Sequence, residues 1–459
     1  MNPREIRSVA DAKHLVEYRN LDYIKVGVFD IDGILRGKYM SREKFFSALD
    51  KGFGFCDVVL GWDSKDQLYD NVQYTGWHTG YPDAPVALIP ESCRILPFED
   101  PGVFFLGEFT GEAESICPRA CLKRVLAKAQ SMGLIVHAGF EYEFFVFDET
   151  RQTIRDKNYR DLKPIAPGFF GYSVLRNSVD TDLYHAILEL CLAMDFPLEG
   201  LHEETGPGVL EAAISVDQGL EAADKAALFK TFVKILAQRH NRIATFMAKW
   251  SPDWPGQSGH IHISLTDDQG NPVFYDDQQP DNLSETMQGF IAGQQKFMPE
   301  YLAMIAPTVN SYSRLVPGFW APTCASWGID NRTCALRVIT ANSAAQSQSQ
   351  RVEYRVGAAD ANPYLALAAA VASGLQGIEM KLNLKSKVEG NAYEQKFPKS
   401  LHLPSSLMDA ANRFNQSQSA RSIFGDAFVD HYAASRVWEE REFRKHISDW
   451  ELERYFEII

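Results

Sequence analysis

Runs of apolar residues interrupted by turn residues divide the chain into a strand-rich beginning and a longer part of mixed strands and helices. Two strands are predicted at 24–29 and 34–39, because the Asp-Gly pair between them is typical of a hairpin. A helix is expected next, with Ser41 as its N-cap and Gly52 near its end. We assign this part, residues 1–112, to a small N-terminal domain. Further short strands are predicted in it at 86–89, 93–96 and 103–109.

The remainder, residues 113–459, is predicted to form one large domain. Its first helix opens at Pro118 and stops at Gly133, with proline just inside the start and glycine just past the end. Strands and helices then alternate without a regular βαβ order, which predicts the α+β class with antiparallel strands. The Ser/Gln-rich stretch 343–350 is expected to be a flexible loop. The strongest helices are predicted at 181–194, 221–240 and 362–381, with amphipathic helices towards the C-terminus.

Composition and charge narrow the possible partners. The 459 residues are 45% hydrophobic, which is ample for a large core, and the net charge is −14. An acidic chain of this kind is not expected to bind nucleic acid or a membrane surface. We expect no secretory leader and no membrane span, since no suitable apolar run is present. The seven cysteines include no Cys-x-x-Cys pair, which favours a reduced, cytoplasmic setting.

Two glutamates in an aromatic strand are the first sign of chemistry. Residues 139–147 read Gly-Phe-Glu-Tyr-Glu-Phe-Phe-Val-Phe, and side chains alternate along a strand, so Glu141 and Glu143 point to the same side. Two carboxylates on such a strand are costly unless something pairs with them. Divalent cations are the usual partner, and oxygen ligands favour Mg²⁺ or Mn²⁺ over zinc. The pair therefore predicts a metal site.

Further acids and histidines follow along the chain. Glu203 and Glu211 lie on either side of a Gly-Pro-Gly turn that can bring them together. Taken alone, that stretch is more simply interpreted as a solvated loop. His260, His262 and Ser264 share one face of a predicted strand, as in metal-binding His-x-His pairs, although hydrogen-bonded core histidines show the same pattern.

Arginines accumulate beside apolar segments in the last third of the chain. Arg351, Glu353 and Arg355 alternate with the strand period and share a face. A surface ladder of ion pairs is one interpretation, and a site that handles phosphate, carboxylate and metal together is the other. Three further arginines precede them, at Arg314, Arg332 and Arg337.

A second signature competes near the N-terminus. Asp30-Ile-Asp32-Gly resembles the Asp-x-Asp-Gly signature of haloacid-dehalogenase-like phosphatases, in which the first aspartate is the nucleophile. That signature normally ends in Thr or Val, whereas here Ile34 begins a second strand at once. We interpret the segment as a hairpin turn and keep the phosphatase as a remote alternative.

Taken together and in this order, the segments resemble the glutamine synthetase family. The resemblance extends at least from Ile24 to Ile378. Its motifs are Gly-Phe-Glu-Tyr-Glu-Phe-Phe-Val-Phe, His-Glu-(x)₇-Glu, Ser-Gly-His-Ile-His-Ile-Ser-Leu, Asn-Ser-Tyr-Ser-Arg-Leu-Val-Pro-Gly, Asp-Asn-Arg and Arg-Val-Glu-Tyr-Arg. The resemblance implies a β-grasp-like N-terminal domain and a catalytic domain around a curved antiparallel sheet. It also implies double-ring dodecamers whose sites are completed by a neighbour's N-terminal domain.

The resemblance further implies a reaction and a role for each candidate residue. An ATP-dependent ligase would form γ-glutamyl phosphate from glutamate, and an amine would then displace the phosphate. Two or more Mg²⁺ or Mn²⁺ ions are implied, one held by Glu143, Glu203 and Glu211 and another by Glu141, His260 and Glu353. Glutamate would be bound by Arg314 and Arg355 with Glu143 and His260 beside it. Catalytic roles are implied for Arg314, Arg332 and Arg337, and contacts with ATP for His262, Ser264, Arg332, Arg337 and Arg351.

The chain departs from the family where the second substrate arrives. Ammonia-using members carry a glutamate six residues after the arginine that matches Arg314, and this position is Trp320 here. An indole supplies an apolar wall, which predicts an organic amine, as in the γ-glutamyl-polyamine and γ-glutamyl-alkylamide synthetases of the family. The alternatives are a packing role for Trp320 and an ammonia-using enzyme whose ammonium site uses Asp57 or Asp63. No adenylylation segment is recognised near Tyr393. The loop 314–322 is a candidate lid that keeps water out.

Overall fold

The structure, a computed structural model, describes residues 2–318 and 320–459. Its described strands form one sheet of six strands near the N-terminus and one of nine strands in the remainder. The strands of the first sheet are Tyr23–Phe29 (β1), Leu35–Ser41 (β2), Phe53–Cys56 (β3), Asp83–Leu88 (β4), Arg94–Ile95 (β5) and Val103–Phe109 (β6). Those of the second are Ile135–Phe147 (β7), Leu198–Glu203 (β8), Val209–Ile214 (β9), Asp217–Gln218 (β10), Ile243–Thr245 (β11), Gly259–Thr266 (β12), Trp327–Ile329 (β13), Leu336–Ile339 (β14) and Arg351–Tyr354 (β15).

The α-helices are concentrated after the first sheet. They are Val9–Tyr18 (α1), Arg42–Lys51 (α2), Pro118–Ser131 (α3), Arg151–Asp156 (α4), Val174–Val179 (α5), Thr181–Ala193 (α6), Gly219–Arg239 (α7), Glu285–Tyr301 (α8), Ser311–Arg314 (α9), Pro363–Glu379 (α10), Leu407–Gln416 (α11), Gln418–Phe424 (α12), Asp426–Phe443 (α13) and Asp449–Tyr455 (α14). Within residues 2–318 and 320–459, no helix combines the length and apolar character needed to cross a membrane.

The N-terminal sheet has the strand order β2-β1-β6-β4-β3, with β5 beside β6. Its β1 and β6 run parallel and its other pairs antiparallel. Helix α2 begins where the Ser41 hydroxyl accepts a hydrogen bond from Lys44 N and ends at Gly52, as the sequence predicts. The helix buries Phe45 against Phe105 of β6, with ring centroids 4.9 Å apart.

The predicted hairpin turn joins β1 to β2. The Oδ1 atom of Asp30 accepts hydrogen bonds from Asp32 N and Ile34 N, and its Oδ2 atom accepts one from Arg36 Nε at 2.8 Å. Asp32 pairs at 2.7 Å with Arg436, a buried residue of α13. Both carboxylates are therefore engaged in holding the turn and in tying it to the C-terminal helices.

The larger sheet has the order β13-β14-β15-β12-β7-β9-β8, with β10 and β11 also paired to β7. Except for the parallel β13–β14 pair, its strands are antiparallel. One face packs on helix α7, where Phe229 lies between Tyr142 and Phe144 of β7 at centroid distances of 6.1 and 6.0 Å. The opposite face of β7 is thereby free to carry polar groups.

Helix α10 is buried around most of its circumference, as its sequence predicts. It packs against α8 through Gly377, where an added Cβ would come within 2.1 Å of Gly289 O, so no larger residue fits this contact. The α+β prediction is confirmed. The predicted loop 343–350 instead contains the 3₁₀ helix Ala344–Ser349, which ends at the buried Gln350. The Gln350 amide donates to Phe274 O and Asn282 O and accepts from Ala341 N, which fixes that end.

Candidate active site

The polar face of the larger sheet collects most of the predicted site residues through strand register. Residues directly opposite each other on antiparallel strands share a face. Glu141 of β7 lies opposite His260 of β12, and Glu143 lies opposite Glu211 of β9. In the next pair of strands, Glu353 of β15 lies opposite both His262 of β12 and Arg337 of β14.

Carboxylate and imidazole groups meet closely on this face. The Nδ1 atom of His260 lies 3.4 Å from Oε1 of Glu353 and 3.7 Å from Oε2 of Glu141, and the Nε2 atom of His262 lies 3.2 Å from the same Glu141 oxygen. Two sets of potential ligand atoms fall within 4.8 Å: Glu141 with His262 and Glu353, and Glu141 with Glu211 and His260. This donor set of oxygens and imidazole nitrogens could hold a divalent cation.

A third set does not include Glu203, which was expected to be a ligand. It consists of His202, Glu204 and Glu211, with His202 Nε2 at 3.2 Å from Glu204 and 3.5 Å from Glu211. Glu203 lies opposite Leu210, a core residue, so its side chain points to the other face of the sheet and pairs with Arg176 at 3.1 Å. Strand alternation therefore separates the Glu203 side chain from Glu211, while Glu204 and Glu211 both lie close to His202. Counting by two from Glu211 through the turn leads to Glu203, so the strand period carried no signal for Glu204.

Charge accumulates on this face. Burial, together with the nearby charges of Glu143 and Glu141, raises the pKa of Glu211 to about 9. Burial acts in the same direction on Glu141, but hydrogen bonds from His260 and His262 hold its pKa below the ordinary range. Glu143 accepts a hydrogen bond from Ser258 N at 2.7 Å, which orients its carboxylate beside Glu211. A cation can neutralise the clustered carboxylates of Glu141, Glu143 and Glu211.

Three arginines line the same face. Arg337 donates to Glu353 at 2.9 Å and to Asp330, a partner that sequence reasoning missed. Arg355 also donates to Glu353, so two guanidinium groups meet one buried carboxylate. Arg351 donates from Nε to His262 Nδ1 at 3.1 Å. These contacts favour the site interpretation of the Arg-x-Glu-x-Arg pattern over a surface ladder.

Two predicted arginines differ from these. Arg314, at the end of α9, is buried and donates to Val356 O at 2.9 Å and Arg355 O at 3.2 Å. Burial lowers its pKa to about 10, although the charge of Glu143 opposes this shift. Arg332 is exposed, and its positive charge acts to lower the pKa of Tyr172 against the larger, opposite effect of burial.

A cavity of about 260 Å³ opens beside His262. Ser264 lines it together with Arg351, Glu141 and Glu199. Three of the residues predicted to contact ATP therefore share one cavity: Ser264, His262 and Arg351. Glu199 was not identified from the sequence, because a lone glutamate in β8 carries no distinguishing pattern.

Comparisons with known proteins identify the family of the chain. A family model described as "Glutamine synthetase, catalytic domain" matches residues 115–455. The chain belongs to the glutamine synthetase family. It is 44% identical to "Type-1 glutamine synthetase 2" of Dictyostelium discoideum, over 95% of this chain and 84% of the relative. It is 38% identical to "Glutamate--isopropylamine ligase" of a Pseudomonas species, over 100% of this chain and 99% of the relative.

Other members of the glutamine synthetase family extend the comparison. "Gamma-glutamylputrescine synthetase" of Escherichia coli is 33% identical over 96% of this chain and 93% of its own length. The solved structure "GmaS/ADP complex-Conformation 1" has the same fold, with a TM-score of 0.84 at 23% identity over 97% and 99% of the two chains. The predicted resemblance to a γ-glutamylamine synthetase-like branch and the predicted class of carbon–nitrogen ligase are confirmed.

The segment after Arg314 contains Trp320, where the sequence departs from the pattern expected of ammonia-using members. Trp320 has a φ of 57° and leaves 64% of its surface exposed, so within one chain it does not line a closed pocket. Residue 319, which belongs to the predicted lid, lies outside the described residues. Asp360 anchors the base of the segment, since it accepts hydrogen bonds from Thr308 at 2.6 Å and Ser311 at 3.0 Å. The alternative acid Asp57 accepts a hydrogen bond from Thr75 in the N-terminal region.

Proposed function

We propose that the protein joins the γ-carboxylate of glutamate to an organic amine, a polyamine or an alkylamine, with γ-glutamyl phosphate formed from ATP as the intermediate. The observation that carries this proposal is the segment 315–322, which contains no carboxylate and exposes Trp320 instead. An indole offers an apolar surface for the carbon chain of an amine and none of the charge that attracts ammonium. Relatives named for isopropylamine, ethanolamide and putrescine support it.

We propose a role for each side chain of the site from where it lies on the polar face of the sheet. We assign one cation to Glu141, His260 and Glu353 and another to Glu143, Glu204 and Glu211. When bound, Mg²⁺ or Mn²⁺ neutralises charge on the transferring phosphoryl group. Arg337, already held by Glu353 and Asp330, presents its positive charge to the same oxygens. Arg332 is proposed to reach the phosphates from its exposed position.

ATP is proposed to enter the cavity beside Ser264, with its phosphates towards His262 and Arg351. Arg314 and Arg355 are proposed to bind the carboxylates of glutamate, because both are rigidly held next to Glu143 and Glu353. The γ-carboxylate then attacks the γ-phosphate of ATP, and ADP leaves. A neutral amine displaces phosphate in the second step, which requires that water be excluded. The segment 314–322 is proposed to close for this purpose.

We further propose the family assembly, a dodecamer of two hexameric rings in which a neighbour's N-terminal domain completes each site. The exposed indole of Trp320 supports this, since the chain alone does not cover it. The N-terminal domain is proposed as β-grasp-like over residues 1–112 and the catalytic domain as residues 113–459. Free thiols at all seven cysteines support a cytoplasmic location.

A panel of amines tests the proposed function. Phosphate release from ATP plus glutamate is measured with ammonia, methylamine, isopropylamine, ethanolamine, putrescine and spermidine. We expect the highest kcat/KM with one of the organic amines and no release without glutamate. Release that depends on neither glutamate nor amine would refute the ligase.

Ammonia as the true substrate is the second candidate. The 44% identity to a relative named as a glutamine synthetase favours it. In that case a carboxylate from elsewhere, such as Asp57 or Asp63, would replace the missing lid acid. Fastest turnover with ammonia in the same panel would decide for this candidate.

A further inference from the structure

We propose that Glu203 and Arg176 of α5 form a clamp that orders the loop 167–173 over His202, and that Glu203 is a positioning residue rather than a metal ligand. This inference rests on the proposed function, because it concerns how the cation group of Glu143, Glu204 and Glu211 is shaped. It reverses the role that sequence resemblance gives to Glu203.

The clamp is visible in the contacts of Arg176. Its guanidinium group donates to the Glu203 carboxylate at 3.1 Å, to Gly168 O at 3.3 Å and to Pro167 O. The same group lies over the ring of Phe170, 5.1 Å from its centroid. Glu203 itself is only 2% exposed. One ion pair thus holds the start of the loop against the end of β8.

A backbone hydrogen bond connects the ordered loop to the residues around the proposed cation. Tyr172 N donates to Glu203 O at 2.7 Å. The Tyr172 ring then stacks on the His202 imidazole, with centroids 4.4 Å apart and planes 9° from parallel. Tyr172 adopts a φ of 57°, a conformation that few non-glycine residues hold without support. The loop therefore fixes the orientation of His202 only while the clamp is closed.

Two adjacent glutamates at the end of β8 point to opposite faces of the sheet. Glu204 turns towards His202 and Glu211 on the polar face, whereas Glu203 turns towards Arg176. Removing the Glu204 carboxylate deletes a proposed ligand. Removing the Glu203 carboxylate leaves the ligands in place and frees the loop.

Two measurements on the full-length protein separate these roles without ATP or amine. Chymotrypsin cleavage reports loop order, because Phe169, Phe170 and Tyr172 are exposed. Electron paramagnetic resonance of Mn²⁺ reports binding of the ion alone. The variants are Glu203→Gln, Glu204→Gln, Arg176→Gln and the double variant Arg176→Gln/Glu203→Gln. Glu149→Gln is the matched control, since Glu149 is a buried acid that pairs with Lys157 away from the site.

Glu203→Gln is expected to speed cleavage in the loop about tenfold, the scale of one charged hydrogen bond, while Mn²⁺ affinity falls less than tenfold. Glu204→Gln is expected to weaken Mn²⁺ binding more than tenfold and to change cleavage less than twofold. Arg176→Gln should speed cleavage at least as much as Glu203→Gln, because it also loses the contacts with Gly168, Pro167 and Phe170, and the double variant should match Arg176→Gln. Glu149→Gln should leave loop cleavage and Mn²⁺ binding unchanged.

In activity assays Glu203→Gln should raise the Mg²⁺ concentration needed for half-maximal rate more than it lowers kcat at saturating Mg²⁺. Equal losses of Mn²⁺ affinity in Glu203→Gln and Glu204→Gln, with unchanged cleavage, would overturn the proposal and make Glu203 a ligand. Unchanged cleavage in both Glu203→Gln and Arg176→Gln would also overturn it. Because cleavage and Mn²⁺ binding involve no amine, an error in the proposed substrate leaves this test intact.

Discussion

Glu143 and Glu211 lie directly opposite each other on the antiparallel strands β7 and β9, so two carboxylates share one polar face. Nothing in packing favours such a pair, because each charge penalises the other. This arrangement changes the protonation of Glu211. Glu211 has a pKa of about 9, raised by burial and by its acidic neighbours, and it is protonated at neutral pH in the metal-free protein.

Mg²⁺ binding should therefore release about one proton per site at pH 7, and affinity should rise with pH up to about 9. Isothermal titration calorimetry in buffers of different ionisation enthalpy measures this release. Glu211→Gln should remove it. In the metal-free protein the same shift lowers stability as pH rises from 4.5 to about 9, because the native state binds the extra proton. A release of zero in the unmodified protein would show that Glu211 is already ionised.

Replacing Glu353 by Ala should abolish turnover with every amine. The residue contacts Arg337, Arg355 and His260, so its loss removes a proposed ligand, takes the carboxylate partner from the buried Arg355 and leaves Arg337 only Asp330. We expect kcat to fall at least about 100-fold, since even outer partners of metal ligands cost 10–100-fold. Steady-state phosphate release measures this fall. Glu379→Ala, which breaks a surface pair with Lys128, is the control and should retain full activity.

Replacing Trp320 by Glu should shift preference towards ammonia. The change restores a carboxylate at the exposed position and removes the apolar surface. We expect the ratio of kcat/KM for the organic amine over ammonia to drop about tenfold, the scale of one exposed charge and one lost apolar contact. Trp320→Gln is the control, because glutamine has the length of glutamate without its charge. It separates the effect of losing the indole from the effect of gaining a charge. An amine profile identical in all three proteins would return Trp320 to a packing role.

Asp32→Asn should leave the chemistry intact while weakening the fold. Asp32 pairs with the buried Arg436, so the change costs about 1–3 kcal/mol of stability and lowers the melting temperature. Phosphate release should remain dependent on glutamate. Differential scanning fluorimetry and the phosphate assay measure the two effects. Loss of a glutamate-independent phosphatase activity would instead support the haloacid-dehalogenase-like alternative.

Much of the fold follows from local signals in the sequence. The capped helix after Ser41, the hairpin at residues 30–33 and the helix from Pro118 depend on neighbouring residues, and the structure contains all three. The 3₁₀ helix at Ala344–Ser349 depends on the distant partners of Gln350, so local composition did not reveal it.

In the site, too, some features follow from neighbouring residues and others depend on distant partners. Glu141, Glu143, His260 and His262 follow from the strand period alone. Which of Glu203 and Glu204 lies near Glu211 depends on how a turn sets the register between β8 and β9, and a shift of one residue reverses the face. Tyr172 was missed because its stacking on His202 joins a loop to a strand about thirty residues away.

The most direct test of the central claim is a competition between two amines in one tube. The enzyme receives limiting glutamate, ATP and Mg²⁺ with equal concentrations of ammonium and one organic amine from the panel. Mass spectrometry then measures the ratio of γ-glutamyl amide to glutamine. We predict that the γ-glutamyl amide exceeds glutamine for at least one alkylamine or polyamine. Glutamine as the main product against every amine would contradict the account.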